Sequence, residues 1–343
     1  MSALPFRSPW LAPLAGFSDL PFRLLCREYG AASCVTEMIS AKGIFFNGNN
    51  TWKLLRTNSS DQPLVVQLFG TDPSTLREAV HVLREAGHGW FDLNMGCSVP
   101  KVLRQGAGAA LLKDVGHAVS IARAMLDAAG RGRVGFKLRL VDDGLGNSSA
   151  MDDLCLGLAD AGAGWLTLHP RTARQGFGGE ARWERIAHLV SLVDVPVLAS
   201  GDLFTALDGR RCLAETGAAG LMYARGALRD PAVFGDHLAL EQGLPAPPKT
   251  LASIARMIRR HMDLAIEHGD GDASLLKMRC VIPRYLHGIA GAKRLRVDIC
   301  RCRTWPELEA LVTDFFRHGE SLAQRPSPGA ARRDPWTETA PSG

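Results

Sequence analysis

The sequence predicts an α/β protein, a (β/α)8 TIM barrel followed by a small all-helical C-terminal domain. Three observations carry that prediction. Eight short apolar, strand-like runs alternate with stretches of helical spacing over the first two thirds of the chain. Nearly every run ends in a polar or glycine cluster, as barrel strands do at the face where chemistry is placed. Beyond residue 250 the strand-like runs stop and amphipathic helical patterns take over. A doubly wound open sheet is the alternative that the same alternation allows.

Taken in order, the runs are Trp10 to Ala12, Ser33 to Thr36, Leu64 to Gln67, Trp90 to Leu93, Gly135 to Leu138, Trp165 to His169, Val197 to Ala199 and Gly220 to Tyr223. Helix starts lie between them. Asp72 before Pro73 is an N-cap with proline in the first turn, and Leu76, Val80 and Leu83 follow on one face. Asp114 likewise precedes Val115, Ala118, Val119, Ala122 and Met125. The strand ends read Pro13-Leu14-Ala15-Gly16, Glu37-Met38, Gln67, Asn94 with Cys97, Lys137 with Arg139, His169 with Arg171, Ser200-Gly201-Asp202 and Ala224-Arg225-Gly226. One pocket assembled from these loops is the expectation.

Residues 1–241 form the barrel in this reading, 242–250 a Pro-rich linker, 251–320 the helical domain, and 321–343 a tail whose composition predicts disorder. A chain of 343 residues with 46% hydrophobic and 22% charged residues suits one large domain and a smaller one. The eight cysteines are scattered, with no CxxC pair of zinc-site spacing, so the expectation is a reducing cytoplasm and no metal. No leader-like segment and no run of roughly 18 apolar residues is present, so no membrane partner is expected. Nothing in the sequence demands more than a monomer.

Several strand-end residues suit chemistry. Cys97 follows a strand end and the Gly96 turn, which is a place for a reactive thiol, although a small buried hydrophobe is the equal alternative. A thiol of ordinary pKa, about 8.5, is mostly protonated at neutral pH and suits a proton donor. Gly106 and Gly108 make the following loop read as a mobile lid. Lys137 stands in an apolar strand, where it either snorkels to a surface or faces the barrel mouth and an anion. His169 is either a satisfied core histidine or part of the pocket. The last two strand ends, Ser200-Gly201-Asp202 and Ala224-Arg225-Gly226, stand where barrels bind phosphate, so together they favour a phosphorylated ligand over mere turns.

In the same order, Ala12 to Asp19 with Pro21-Phe22-Arg23, Gln67-Leu68-Phe69-Gly70, Asp92 to Cys97 with Lys101-Val102, and Lys137-Leu138-Arg139 resemble the tRNA-dihydrouridine synthases. The pattern continues through His169-Pro170-Arg171-Thr172, Gln175, Gly179, Trp183, Ser200-Gly201-Asp202 and Ala224-Arg225-Gly226, spanning residues 8 to about 235. The resemblance implies an FMN enzyme that reduces the C5–C6 bond of particular uridines in tRNA, with NADPH reloading the flavin. It implies hydride delivery to C6 and a proton from Cys97 to C5. Pro13, Leu14, Ala15, Gln67, Lys137 and His169 are then expected at the isoalloxazine, and Ser200, Gly201, Asp202, Ala224 and Arg225 at the ribityl phosphate. Asn94, Lys101 and Arg171 are expected at the substrate. Two departures stand out: Ser98 where the family usually has proline after the cysteine, and Ser200 where it often has asparagine.

A base inside folded tRNA must be extruded to reach a barrel mouth, which calls for a basic surface. Between Ser274 and Arg303 eight basic residues face one acid, Asp298, and Lys277, Arg279 and Arg284 are expected to grip phosphates, a solvated helix face being the alternative. Thr304 with Glu307 reads as a capping box for the last helix. Two other readings stay open at this stage: a flavin barrel reducing a free small molecule, and a non-catalytic RNA-binding protein.

Overall fold

A computed structural model describes residues 3–141 and 149–318; the tail expected to be disordered lies outside the described residues. Nine strands are present among them: β1 (Trp10–Leu11), β2 (Ser33–Val35), β3 (Ile39–Ser40), β4 (Leu64–Phe69), β5 (Phe91–Met95), β6 (Val134–Leu140), β7 (Trp165–Thr172), β8 (Val197–Ala199) and β9 (Gly220–Tyr223). They pair in parallel in the order β2-β1-β9-β8-β7-β6-β5-β4-β3. Pairing of β2 with the start of β4, Cys34 opposite Leu64, closes the sheet. Because β3 pairs with the far end of β4, Ile39 opposite Leu68, β2 and β3 share one position and the nine strands make an eight-position barrel. Closure excludes the open sheet, and β3 is the one strand the sequence pattern missed. Its two residues are too few for a periodicity.

Helices return the chain between strands, and their starts follow the local chemistry. The Asp19 carboxylate accepts from the Phe22 amide at the start of Leu20–Glu28, Asp72 from Thr75 at Pro73–Glu85, and Asp114 from His117 at Val115–Ala129. Leu76, Ala79, Val80 and Leu83 form the buried face of Pro73–Glu85, which packs on Val115–Ala129. The N-terminal end of the barrel is filled by rings. Trp10 and Trp165 are fully buried with centroids 5.6 Å apart, and Phe6 and Trp90 complete the plug. Gly135 is required there, because a Cβ on it would lie 1.9 Å from Cε2 of Trp165.

Residues 244–250 are exposed and carry no regular structure. Four helices follow, Leu251–His268, Asp272–Tyr285, Ala292–Arg301 and Trp305–His318. The first lies against Leu20–Glu28 through a bidentate Arg260–Glu28 pair and the mutually tilted rings of Phe22 and His261, 5.6 Å apart. Their buried side chains run into the barrel's core without a break. The expected capping box is shifted by one residue: Thr304 accepts from the Glu307 amide, but Glu307 takes the amide of Arg303. No described helix is long and apolar enough to cross a membrane.

Candidate active site

The strand ends converge on a cavity of about 230 Å³ at the C-terminal mouth of the barrel. Its wall includes Ala12 to Ala15 after β1, Asn94 and Cys97 at β5, Lys137 and Arg139 on β6, His169 on β7, Ser200 to Phe204 after β8, and Ala224 and Arg225 after β9. Of the fifteen residues expected at the cofactor, the thiol and the base, twelve line it; Gln67, Lys101 and Arg171 do not. Among the lining residues three cations face one carboxylate, Asp202. Such a wall suits an anion.

Alternation along the strands produces this face. Asp92 and Asn94 on β5, and Lys137 and Arg139 on β6, point to the same side, and Asn94 is in register with Lys137. Burial pushes the Lys137 ammonium down to about 8, with the Arg139 guanidinium adding to the effect. Burial pushes the Asp92 carboxyl up to about 7. Asp92 is 1% exposed and its Oδ1 has no hydrogen-bond partner, a costly arrangement inside a protein.

A directional chain of hydrogen bonds runs from the thiol turn to that carboxyl. The Cys97 amide donates to Asn94 Oδ1 (2.9 Å), Asn94 Nδ2 to Gln67 Oε1 (2.9 Å), and Gln67 Nε2 to Asp92 Oδ2 (2.7 Å). Because the Asp92 end accepts, both amide groups have one orientation, and Asn94 keeps an acceptor toward Cys97. Gln67 therefore sits beneath the cavity floor rather than on its wall. The Cys97 thiol is half-buried and lines the cavity; burial raises its pKa, so it holds its proton at neutral pH.

The loop after Cys97 is packed rather than open. Ala109 donates to the Cys97 carbonyl at 3.0 Å, and Gly108, with φ +63, sits so close that a Cβ would be 2.6 Å from that oxygen. Glycine density read as mobility is here close approach.

A β-bulge between Arg139, paired with His169, and Leu140, paired with Thr172, lets β7 insert Pro170 and Arg171 outside the regular register. Arg171 is 1% exposed, and all five of its donors are engaged: with both Asp202 oxygens (2.9 and 2.6 Å), the Gly178 and Gly179 carbonyls, and His169 Nε2. These bonds make Arg171 a brace for the β8 loop. Its bond makes His169 Nε2 an acceptor, and burial among Arg139, Lys137, Arg171 and Arg225 holds His169 well below its usual pKa, hence neutral. Gly201, at φ +107, lets the β8 loop cross the imidazole, since a Cβ would approach it to 2.7 Å. Arg225 reaches Asp202 at 3.1 Å and lies over the rings of Phe177 and Phe204.

The remaining expectations are placed differently. Lys101 is exposed on the short helix Pro100–Leu103, at the rim. Lys277 turns toward the barrel and pairs with Asp19 (2.9 Å) and Glu37 (3.3 Å), which also raises its pKa above the ordinary lysine value against the burial that opposes it. Arg279 donates to the Cys300 carbonyl, and Arg284 lies over Phe17 at 4.7 Å and reaches the Cys280 carbonyl. These three brace the C-terminal helices against themselves and the mouth, whereas Lys293, Arg294, Arg301 and Arg303 are the exposed cations. Counting charge along the chain does not reveal which face a residue occupies. Arg139 was read only as a strand end and Asp92 was given no role, although two polar residues at alternate positions of an apolar strand are the signal that marks them.

Among the described residues no group of three or more His, Cys, Asp or Glu side chains is arranged to hold a metal. A family model described as dihydrouridine synthase matches residues 10–318. The chain is 34% identical over 317 residues to a "Probable tRNA-dihydrouridine synthase" of Mycobacterium tuberculosis, covering 88% of this chain and 80% of that one. It is 32% identical over 311 residues to the tRNA-dihydrouridine synthase B of Pseudomonas aeruginosa, covering 89% and 92%. Among solved structures, a 2-naphthoyl-CoA reductase shares the barrel with a TM-score of 0.52 at 10% identity, over 70% of this chain and 50% of that one.

Proposed function

The chain belongs to the dihydrouridine synthase family, and from that premise we propose that it reduces particular uridines of tRNA to 5,6-dihydrouridine, using FMN and NADPH. The observation that carries the reading is the half-buried Cys97 thiol lining the same cavity as Lys137, His169 and Arg225.

The donor set fits a phosphorylated flavin. Arg225 and the backbone of the glycine-bearing turn Ser200 to Asp202 offer an anion site at one part of the wall, while Ala12 to Ala15 and Met38 offer an apolar surface. A ligand negative charge also offsets the cost of the buried Lys137. The chemistry that bound FMN would supply, once reduced by NADPH, is a hydride for C6 of the uracil. Lys137 and His169 would hold the ring system, Lys137 as a cation and His169 as a neutral ring with Nδ1–H left to donate. Asn94, at the cavity wall, faces the base and fixes the Cys97 turn. Cys97 then transfers its thiol proton to C5, and its raised pKa keeps that proton available before transfer. Residues 251–318 present the exposed cations that hold the tRNA around the extruded base. A monomer in the cytoplasm, with its cysteines free, is the setting we assign.

The test uses visible flavin absorbance. Purified protein is reduced anaerobically with NADPH and mixed with unmodified tRNA or, separately, free uracil. Reoxidation by tRNA but not by uracil is expected. Reoxidation by the free base would replace the reading with a small-molecule reductase, and a protein that does not take up FMN would remove the enzyme altogether.

A further inference from the structure

The short helix Ala41–Phe45 stands at the barrel mouth directly after β3, and two phenyl rings crown it. Phe45 is 52% exposed and Phe46 74% exposed, with centroids 5.0 Å apart in an edge-to-face pair. Lys42, three and four residues earlier, is exposed on the same side of the turn. This is not a loose loop. The Ser40 hydroxyl accepts from the Gly43 amide, the Gly48 amide donates back to the Gly43 carbonyl, and Thr51 packs where a Gly43 side chain would be. Two large apolar rings held rigidly in water call for a partner.

The neighbouring segment supplies charge. Lys42 and Gln105 share a small cleft, Gln105 donates to the Lys101 carbonyl, and Lys101 and Arg104 are both exposed. The nearby acid is Asp72, whose carboxylate is engaged by Ser74 and Thr75 at a helix start. Val99, 53% exposed, belongs both to this rim and to the wall of the active-site cavity. Meanwhile the C-terminal helices reach the mouth over the ends of β1 and β2, through Lys277 with Asp19 and Glu37. The aromatic and cationic rim continues from there over the ends of β3, β4 and β5.

We propose that Phe45 and Phe46, with Lys42, Lys101 and Arg104, form a second RNA-contacting rim on which a nucleotide next to the extruded one leaves its stack and lies against a phenyl face. The inference rests on the tRNA reading above and extends it to a surface outside the cavity. RNA is the occupant that uses both halves of the rim: bases stack on exposed aromatic faces, and phosphates meet the flanking cations. A second copy of this chain would cover the rings but leave the three cations without counter-charge.

The experiment compares the FMN-loaded wild type with Phe45→Ala/Phe46→Ala and with Lys42→Ala/Arg104→Ala, measuring tRNA affinity against salt. The phenylalanine variant should bind tRNA about tenfold more weakly with an unchanged salt slope, as loss of base stacking predicts. The cation variant should lower the log–log salt slope by about 2. Flavin absorbance and NADPH-driven flavin reduction should be unaltered in the phenylalanine variant. Affinity within twofold of wild type in both variants would overturn the rim while leaving the function standing. Unchanged tRNA affinity with loss of a sedimenting dimer would assign the rings to a second copy instead. Failure of the wild type itself to bind tRNA would overturn the function, and the rim with it.

Discussion

At the N-terminal end of the barrel Phe6, Trp10, Trp90 and Trp165 pack ring on ring, with centroids 5.5 to 6.4 Å apart, whereas at the other end Lys137, Arg139 and Arg225 crowd around an open cavity. The same eight-position sheet supports both. One end removes apolar area from water and fills its space to the limit, so that even a methyl group has no room at Gly135. The other end gathers like charges, a neutralised histidine and a carboxyl with an unpartnered oxygen, each of which costs stability. The contrast teaches that the fold's stability and its chemistry are held apart along the barrel axis. Substitutions at the two ends should then separate activity from stability.

The largest expected effect is at the cavity. Cys97→Ala should slow single-turnover reoxidation of reduced flavin by tRNA by about 10² to 10⁴, about 3 to 5 kcal/mol of barrier, with an unchanged urea midpoint. A variant with the normal rate would remove Cys97 as proton donor. Gly135→Ala is the mirror case: its new Cβ would stand 1.9 Å from Trp165, so unfolding stability should fall by about 3 kcal/mol in urea titrations. The fraction that stays folded should keep its flavin and its rate. If the rate fell in step with stability, the two ends would be coupled.

Lys137→Met should abolish turnover yet raise stability at pH 7 by about 3 kcal/mol. The sign follows from a folded pKa of about 8 against an unfolded value near 10.5. The wild type therefore gains stability as pH rises from about 8 to about 10.5, and the gap to the methionine variant should close over that window. A constant gap would place the ammonium in water. Asp92→Asn should give the smallest effect on turnover. Its carboxyl titrates at about 7 when folded and near 4 when unfolded, so folding takes up a proton between those values. Wild-type stability should accordingly fall as pH rises through that window, and the asparagine variant should gain on it by about 4 kcal/mol between pH 4 and pH 7. Equal pH profiles for the two proteins would show that Asp92 is ionised and compensated.

Much of the barrel is legible before folding, and the reason is local. A strand buried on both sides announces itself by an apolar run, a helix start by Asp72-Pro73 or Asp114, and a strand end by the change to polar residues. Cys97, Lys137, His169, Ser200 and Arg225 were marked by such changes, and the cavity wall includes all five. The helix starts at Asp72 and Asp114 could be read because the capping hydrogen bond spans three residues.

Partner choice over longer distances is another matter. The sequence by itself determined the order of strands and helices, the polar chemistry delivered to one end, and the basic character of the region after residue 250. Only the tertiary structure decided which of those polar groups remain available. Arg171 is engaged by Asp202, thirty-one residues on; Lys277 is engaged by Asp19 and Glu37, more than two hundred residues back; Gln67 is engaged by Asp92 and Asn94 below the floor. Each looked free in the chain because an ion pair or hydrogen bond across a fold leaves no periodicity in sequence. It forms only when the closed barrel and the docked helices bring the two groups within about 3 Å, and burial then makes the pairing obligatory.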